Sequence, residues 1–153
     1  MDPLEKLIAI EEIKQLEAKR VRLLDTKDWV PYAALHVPEM EHTYGMAPPA
    51  YGIDNVVAKV SSLLNNAITI HHIHSPEIEF PSSTTAKAIW AMEDTVIWLD
   101  EGTRMHAFGH YFCDYVYRDG KWLICGRDLK RLWVKQEKGG TTYDLVKPAG
   151  NKI

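Results

Sequence analysis

Cysteine is scarce in this chain. The 153 residues hold only Cys113 and Cys125, set in apolar, strand-like surroundings without Cys-x-x-Cys spacing. That usage excludes a disulfide scaffold, a thiolate metal clip and a redox pair, and both read as reduced, buried thiols. Positive charge is not in excess either: 18 Lys and Arg stand against 21 Asp and Glu, a formal net charge of -3. No basic field gathers a phosphate backbone, so nucleic acid is not an expected partner. No apolar run reaches the roughly 18 residues that a membrane helix needs. Met1 to Lys6 lacks the charged-then-apolar pattern of a secretory leader. The expectation is a cytoplasmic protein with no membrane partner, and the length is that of one domain able to bury a core or a pocket unaided.

What is present divides the chain in two. Asp2-Pro3-Leu4-Glu5 combines a capping acid, proline at the first helical position and glutamate three residues after the cap, which starts a helix. Ile10, Ile13, Leu16, Val21 and Leu24 then recur as an apolar stripe, with Glu11, Glu12, Lys14, Lys19 and Arg22 on the wet side. A short helix over residues 28–35, a short strand over 40–44, a loop at Pro48-Pro49 and a third helix over 52–64 follow. From Ala67 onward, β-branched and aromatic runs predict four long antiparallel strands over 68–80, 85–99, 104–118 and 122–134, with Asp119-Gly120 a strong hairpin signal. Helices first and a curved meander afterwards indicate an α+β domain over residues 1–136, leaving 137–153 as a C-terminal tail.

Two segments carry the chemistry. Leu24-Asp25-Thr26-Lys27-Asp28-Trp29 closes the first helix on its apolar side, where an acid is costly unless partnered. Thr69-Ile70-His71-His72-Ile73-His74 lies in a strand, with His71 on one face and His72 and His74 on the other. A carboxylate bonded to one imidazole nitrogen fixes the tautomer and makes the other nitrogen a base, so Asp25 and His71 form a candidate general-base dyad if the fold joins them. The same acid could instead form an ion pair with Arg20, Lys27 or Arg131. His72 and His74, with His106 or His110, offer imidazoles to a metal, but two same-face ligands are too few for a site, and no metal is expected. Glu77 and Glu79 alternate with Ile78 and Phe80 and read as a solvated face.

These residues resemble the SnoaL-like branch of the nuclear-transport-factor-two-like superfamily. The likeness spans roughly Leu4 to Trp133 and rests on the two segments above, Trp90-Ala91-Met92-Glu93-Asp94, Gly109-His110-Tyr111 and Asp119-Gly120-Lys121-Trp122-Leu123-Ile124. It is strongest toward bile-acid 7-alpha-dehydratases and more distant toward hexachlorocyclohexane dehydrochlorinases and scytalone dehydratases. The resemblance implies a cone-shaped, cystatin-like α+β barrel and a cofactor-independent, dehydratase-type lyase acting on a small hydrophobic cyclic or aromatic molecule. It also puts the base on Asp25 and His71, and a charge-stabilising cation on Arg131. The position five residues before the acid, a tyrosine in the bile-acid enzymes, is Arg20 here. Arg20, Tyr32, Tyr44, Tyr51, Trp90, Met92 and His110 are the candidate substrate-binding residues. The aromatic strands further imply a symmetric homo-oligomer, dimer or trimer.

Overall fold

The predicted capping box forms: the Asp2 carboxylate accepts from the Leu4 and Glu5 amides at 2.8 and 2.9 Å, and Glu5 accepts the Asp2 amide at 2.8 Å. In the computed structural model, which describes residues 1–44, 47–100 and 102–138 (Tyr44 and Ala47 by backbone only), this cap opens helix α1, Pro3–Asp25. A short α2, Trp29–Ala33, leads into strands β1, His36–Tyr44, and β2, Ala47–Tyr51. Helix α3, Ile53–Leu64, precedes β3, Ala67–Ser82; β4, Thr85–Trp98; β5, Thr103–Arg118; and β6, Lys121–Lys138.

The strands form one sheet in the order β2-β1-β6-β5-β4-β3, antiparallel throughout except where β1 runs parallel to β6. α1 packs on β3 and β6, and α3 on β1, β2 and β3, so the helices cover one face of the sheet. The result is the expected cone-shaped α+β fold. Ile13, Val37, Met40, Val56 and Ile124 are fully buried between the layers.

Two sequence expectations need adjustment. Pro48 and Pro49 lie within β2 rather than in a loop. β2 is the sheet's edge strand, where missing amide donors cost no ladder bond. β6 continues through Glu137 and Lys138, the first two residues assigned to the tail; residues 139–153 lie outside the described residues. Cys113 and Cys125 are free thiols, as expected, Cys113 buried and Cys125 half-buried. Among the described residues no helix is long and apolar enough to cross a membrane.

Candidate active site

Helix α1 ends in a Schellman turn, with the Asp28 amide donating to Leu23 O at 2.9 Å and the Lys27 amide to Leu24 O at 3.2 Å. The left-handed position of that turn, usually glycine, is Lys27 at φ 60°. The turn presents Asp25 to the covered face of β3. There its carboxylate accepts the His71 Nδ1–H at 2.6 Å, the His71 backbone N–H at 2.9 Å and the Thr69 hydroxyl at 2.9 Å. Lys27 Nζ donates in turn to the Thr69 hydroxyl at 2.5 Å and to Leu24 O at 3.4 Å. A carboxylate is disfavoured at a helix C-terminus, so the three donors and the nearby ammonium offset that cost. Because Asp25 engages Nδ1–H, the neutral ring carries its lone pair on Nε2.

The strained lysine gives a test of this support. Lys27→Gly is expected to leave stability unchanged or raise it by about 1 kcal/mol through relief of the left-handed backbone. It should also lower any His71-dependent turnover, because Thr69 loses its cation; urea denaturation and rate measurement on the same variant separate the two effects.

Beyond Nε2 stands a second acid. Asp94 on β4, 2 % exposed, has Oδ2 at 3.9 Å from His71 Nε2, too far for a hydrogen bond. Both its oxygens are taken by Arg131 of β6, Nη1 to Oδ1 at 2.8 Å and Nη2 to Oδ2 at 2.7 Å. Arg131 is placed by a bulge in β6: Phe108 pairs with Trp133 and Gly109 with Arg131. A Cβ on Gly109 would lie 2.4 Å from Lys130 O, so only glycine admits this close approach.

A third group lies deeper, between α1 and the sheet. Glu17, wholly buried, accepts Arg20 Nε at 2.6 Å, Arg127 Nη2 at 2.7 Å and the Tyr115 hydroxyl at 2.9 Å. Tyr115 accepts the Trp90 indole N–H at 2.9 Å, and both guanidiniums lie against the Tyr111 ring, at 5.0 and 5.4 Å from its centroid. Burial alone would raise the Glu17 pKa; the Arg127 and Arg20 cations overcome it and hold the carboxyl at about 2. His36 falls to about 3, first through burial and then through Arg127, and is therefore neutral; burial pushes Tyr111 up to about 12.

One cavity of about 220 Å³ joins these groups, with His71, Asp94, Arg131, Arg20, Arg127 and Tyr111 in its wall and an apolar lining completed by residues such as Leu24, Val60 and Val96. The family profile of the SnoaL-like domain matches residues 5–128 of this sequence. The chain belongs to this SnoaL-like family.

Solved structures carry the same SnoaL-like architecture at low identity. A provisionally named scytalone dehydratase from Novosphingobium aromaticivorans superposes with a TM-score of 0.80 at 22% identity, covering 97% of this chain and 98% of that one. The LinA-type3 hexachlorocyclohexane dehydrochlorinase of Novosphingobium barchaimii gives 0.83 at 16% identity, covering 94% and 100%. An uncharacterised protein with a cystatin-like fold from Caulobacter vibrioides gives 0.71 at 15%, covering 81% and 89%. At these identities the likeness is one of fold.

Within this SnoaL-like cone the structure sorts the sequence candidates. Asp25 and His71 meet, and Arg131, Arg20 and Tyr32 line the cavity beside His71. Four candidates fall elsewhere. Tyr51, 60% exposed, stands on the edge strand. Trp90 and Met92 face inward but are core: neither lines the cavity, and Trp90 is spent on Tyr115. His110 is on the opposite sheet face, near Phe112, because Gly109 and Tyr111 are the inward residues of β5. Tyr44's side chain lies outside the described residues. Trp98, which the sequence suggests for the convex face with His72 and His74, instead turns inward, lines the cavity and donates its indole N–H to Leu63 O at 3.0 Å. His72 and His74 are both exposed, His74 beside α1 at a cleft it shares with Glu11 and Lys14 rather than in the cavity, and no cluster of three or more His, Cys, Asp or Glu suited to a metal occurs among the described residues. Sequence reasoning missed Glu17, Asp94 and Arg127. The available signal was one-sided: Ile13, Glu17, Arg20 and Leu24 share one helical stripe, so charged residues sat where apolar ones were required.

Proposed function

We propose that this protein is a cofactor-independent lyase of the dehydratase type, acting on a compact hydrophobic ring compound with His71 as general base. The observation that carries this reading is the imidazole itself, tied through Nδ1 to a triply bonded carboxylate at 2.6 Å, with its other nitrogen in the wall of a largely apolar cavity. Such a base takes a proton from carbon or oxygen and is stabilised as imidazolium by Asp25. In a dehydration, Nε2 removes the C–H proton, the electron pair forms the C=C bond and the C–O bond breaks. The departing hydroxyl leaves as water with the proton that His71 returns. A volume of about 220 Å³ lies below the roughly 300–1,000 Å³ usual for drug-sized ligands, which favours one or two rings over a steroid. Hydroxy-ring dehydration leads; loss of formaldehyde or carbon dioxide from an aromatic side chain and double-bond isomerisation use the same base.

Arg131 enters this scheme as a positioning residue. Both its terminal nitrogens hold Asp94, which keeps that carboxylate from accepting an Nε2 proton and reversing the tautomer. Arg131→Met frees Asp94 to stabilise the imidazolium, so the acidic limb of the pH–rate profile is expected to move to higher pH, with a smaller loss at the alkaline plateau. An unshifted profile would return Arg131 to direct charge stabilisation.

The test of the function is a panel of cyclic β-hydroxy ketones and β-hydroxy acids, followed by ultraviolet absorbance of the conjugated product. Wild type should convert at least one, with EDTA without effect. Binding without conversion across the panel supports a non-catalytic pocket protein, in which Asp25 and His71 merely satisfy each other. Activity lost to EDTA and restored by zinc contradicts the proposal.

Assembly as a homo-oligomer is part of the same reading. The uncovered sheet face carries Ile70, Phe108 and Trp133, each at least 40% exposed, with Phe108, Trp133 and His106 in ring contact. Light scattering is expected to give a multiple of the 17.5 kDa chain; a monomer at micromolar concentration removes this claim.

A further inference from the structure

The Glu17 group is not closed. One carboxylate faces two guanidiniums: among the described residues, Glu17 is the acid that pairs with both Arg20, at 2.6 Å, and Arg127, at 2.7 Å. His36 and His42 beside them are held neutral by burial and by these same cations. One positive charge is therefore left over in a buried site, a costly arrangement in a low-dielectric interior. The hydrogen bonding has the same shortfall. Arg20 Nη2 and Arg127 Nη1 have no hydrogen-bond partner among the described residues, although Arg20 is 1% and Arg127 3% exposed. Both arginines line the cavity that His71 enters.

We infer that the cavity's ligand is a monocarboxylate whose two oxygens accept from Arg20 Nη2 and Arg127 Nη1. A single negative charge matches the single uncompensated cation. Two oxygens on a planar group match one donor from each of two guanidiniums. The ring body then extends past Tyr111 toward His71, so the substrate of the proposed lyase is a ring acid rather than a neutral ring compound. This assignment rests on that reading for its chemistry, but the anion site stands on its own burial and charge. The three cations of the cavity wall thus differ in role, since Arg131 is committed to Asp94 whereas Arg20 and Arg127 hold donors in reserve.

Benzoate and its neutral isostere benzamide test the inference by calorimetric titration of the full chain. Benzoate is expected to bind about tenfold or more tightly than benzamide. Arg20→Met and Arg127→Met should each remove that preference, while His71→Ala should retain it. If either cluster variant does not fold, a crystal structure of wild type with 4-bromobenzoate decides, the carboxylate being expected within about 3.2 Å of both terminal nitrogens. Equal binding of benzoate and benzamide overturns the inference and leaves those donors to buried water. So does a preference that survives both cluster variants, or a carboxylate seated on His71 or Arg131. Failure of the lyase reading looks different: turnover indifferent to His71→Ala would leave the benzoate preference intact.

Discussion

His71→Ala is expected to lower kcat by about 10²–10⁴-fold, the usual worth of a positioned general base, with little change in KM. Among the described residues the ring's Nε2 has no free base beside it to take its place. Asp94, the nearest acid at 3.9 Å, is locked in a two-point pair with Arg131. Asp25→Asn should cost a comparable factor for a different reason. An amide in place of the carboxylate can offer its N–H to Nδ1, which shifts the ring proton to Nε2 and removes the lone pair from the cavity. Binding of a substrate analogue should survive both changes, so the fall appears in kcat. Single-turnover kinetics with each variant check this, and near-wild-type rates for His71→Ala would contradict it.

Glu17→Leu is expected to destabilise the fold by about 3–5 kcal/mol, because it leaves two buried guanidiniums without their common acceptor. In a chain of this size that lowers Tm by about 10 °C or more. The same carboxylate governs acid stability. The unfolded chain protonates Glu17 near 4.5, while the folded one resists to about 2. Its contribution is therefore whole above pH 4.5 and is lost as pH falls toward 2. His36 acts in the same direction from a higher pH. Its ring protonates near 6.5 when unfolded and near 3 when folded, so stability begins to fall once pH drops below about 6.5. Urea midpoints from pH 7.5 to 4 should decline in wild type, with a shallower decline in His36→Phe, where His42, its pKa also lowered by burial, still acts in the same direction. A flat profile in wild type would contradict the buried, neutral assignment of His36.

The large elements were legible because their signals are local. The Asp2 cap, the Asp119-Gly120 turn, with φ 53° and 79° at its two residues, and the alternation along β3 need no tertiary information. Asp25 and His71 were legible for a related reason: an acid on the apolar side of a helix end must find a partner, and β3's alternation put His71 on the face apart from His72 and His74. Alternation reveals a face but not a depth. Trp90 and Met92 accordingly share an inward face with Asp94, yet only Asp94 reaches the cavity. The parity of β5, which turns His110 outward, is set by pairing with β4 and β6. Glu17 and Arg127 were hidden by chemistry, since an ion cluster closed across 110 residues of sequence looks locally like two solvated charges. Arg131's partner was hidden by the bulge opposite Gly109, which no turn signal announces.

General-base chemistry at His71 requires that Asp25 hold its proton on Nδ1, leaving the lone pair on Nε2 facing the cavity. Nitrogen-15 NMR of histidine-labelled protein near pH 8 tests it most directly, with His71→Ala assigning the signals. The expected result is a protonated Nδ1 and an unprotonated Nε2 for His71, with that pattern lost or reversed in Asp25→Asn. A wild-type His71 carrying its proton on Nε2, or a tautomer indifferent to Asp25→Asn, would contradict it.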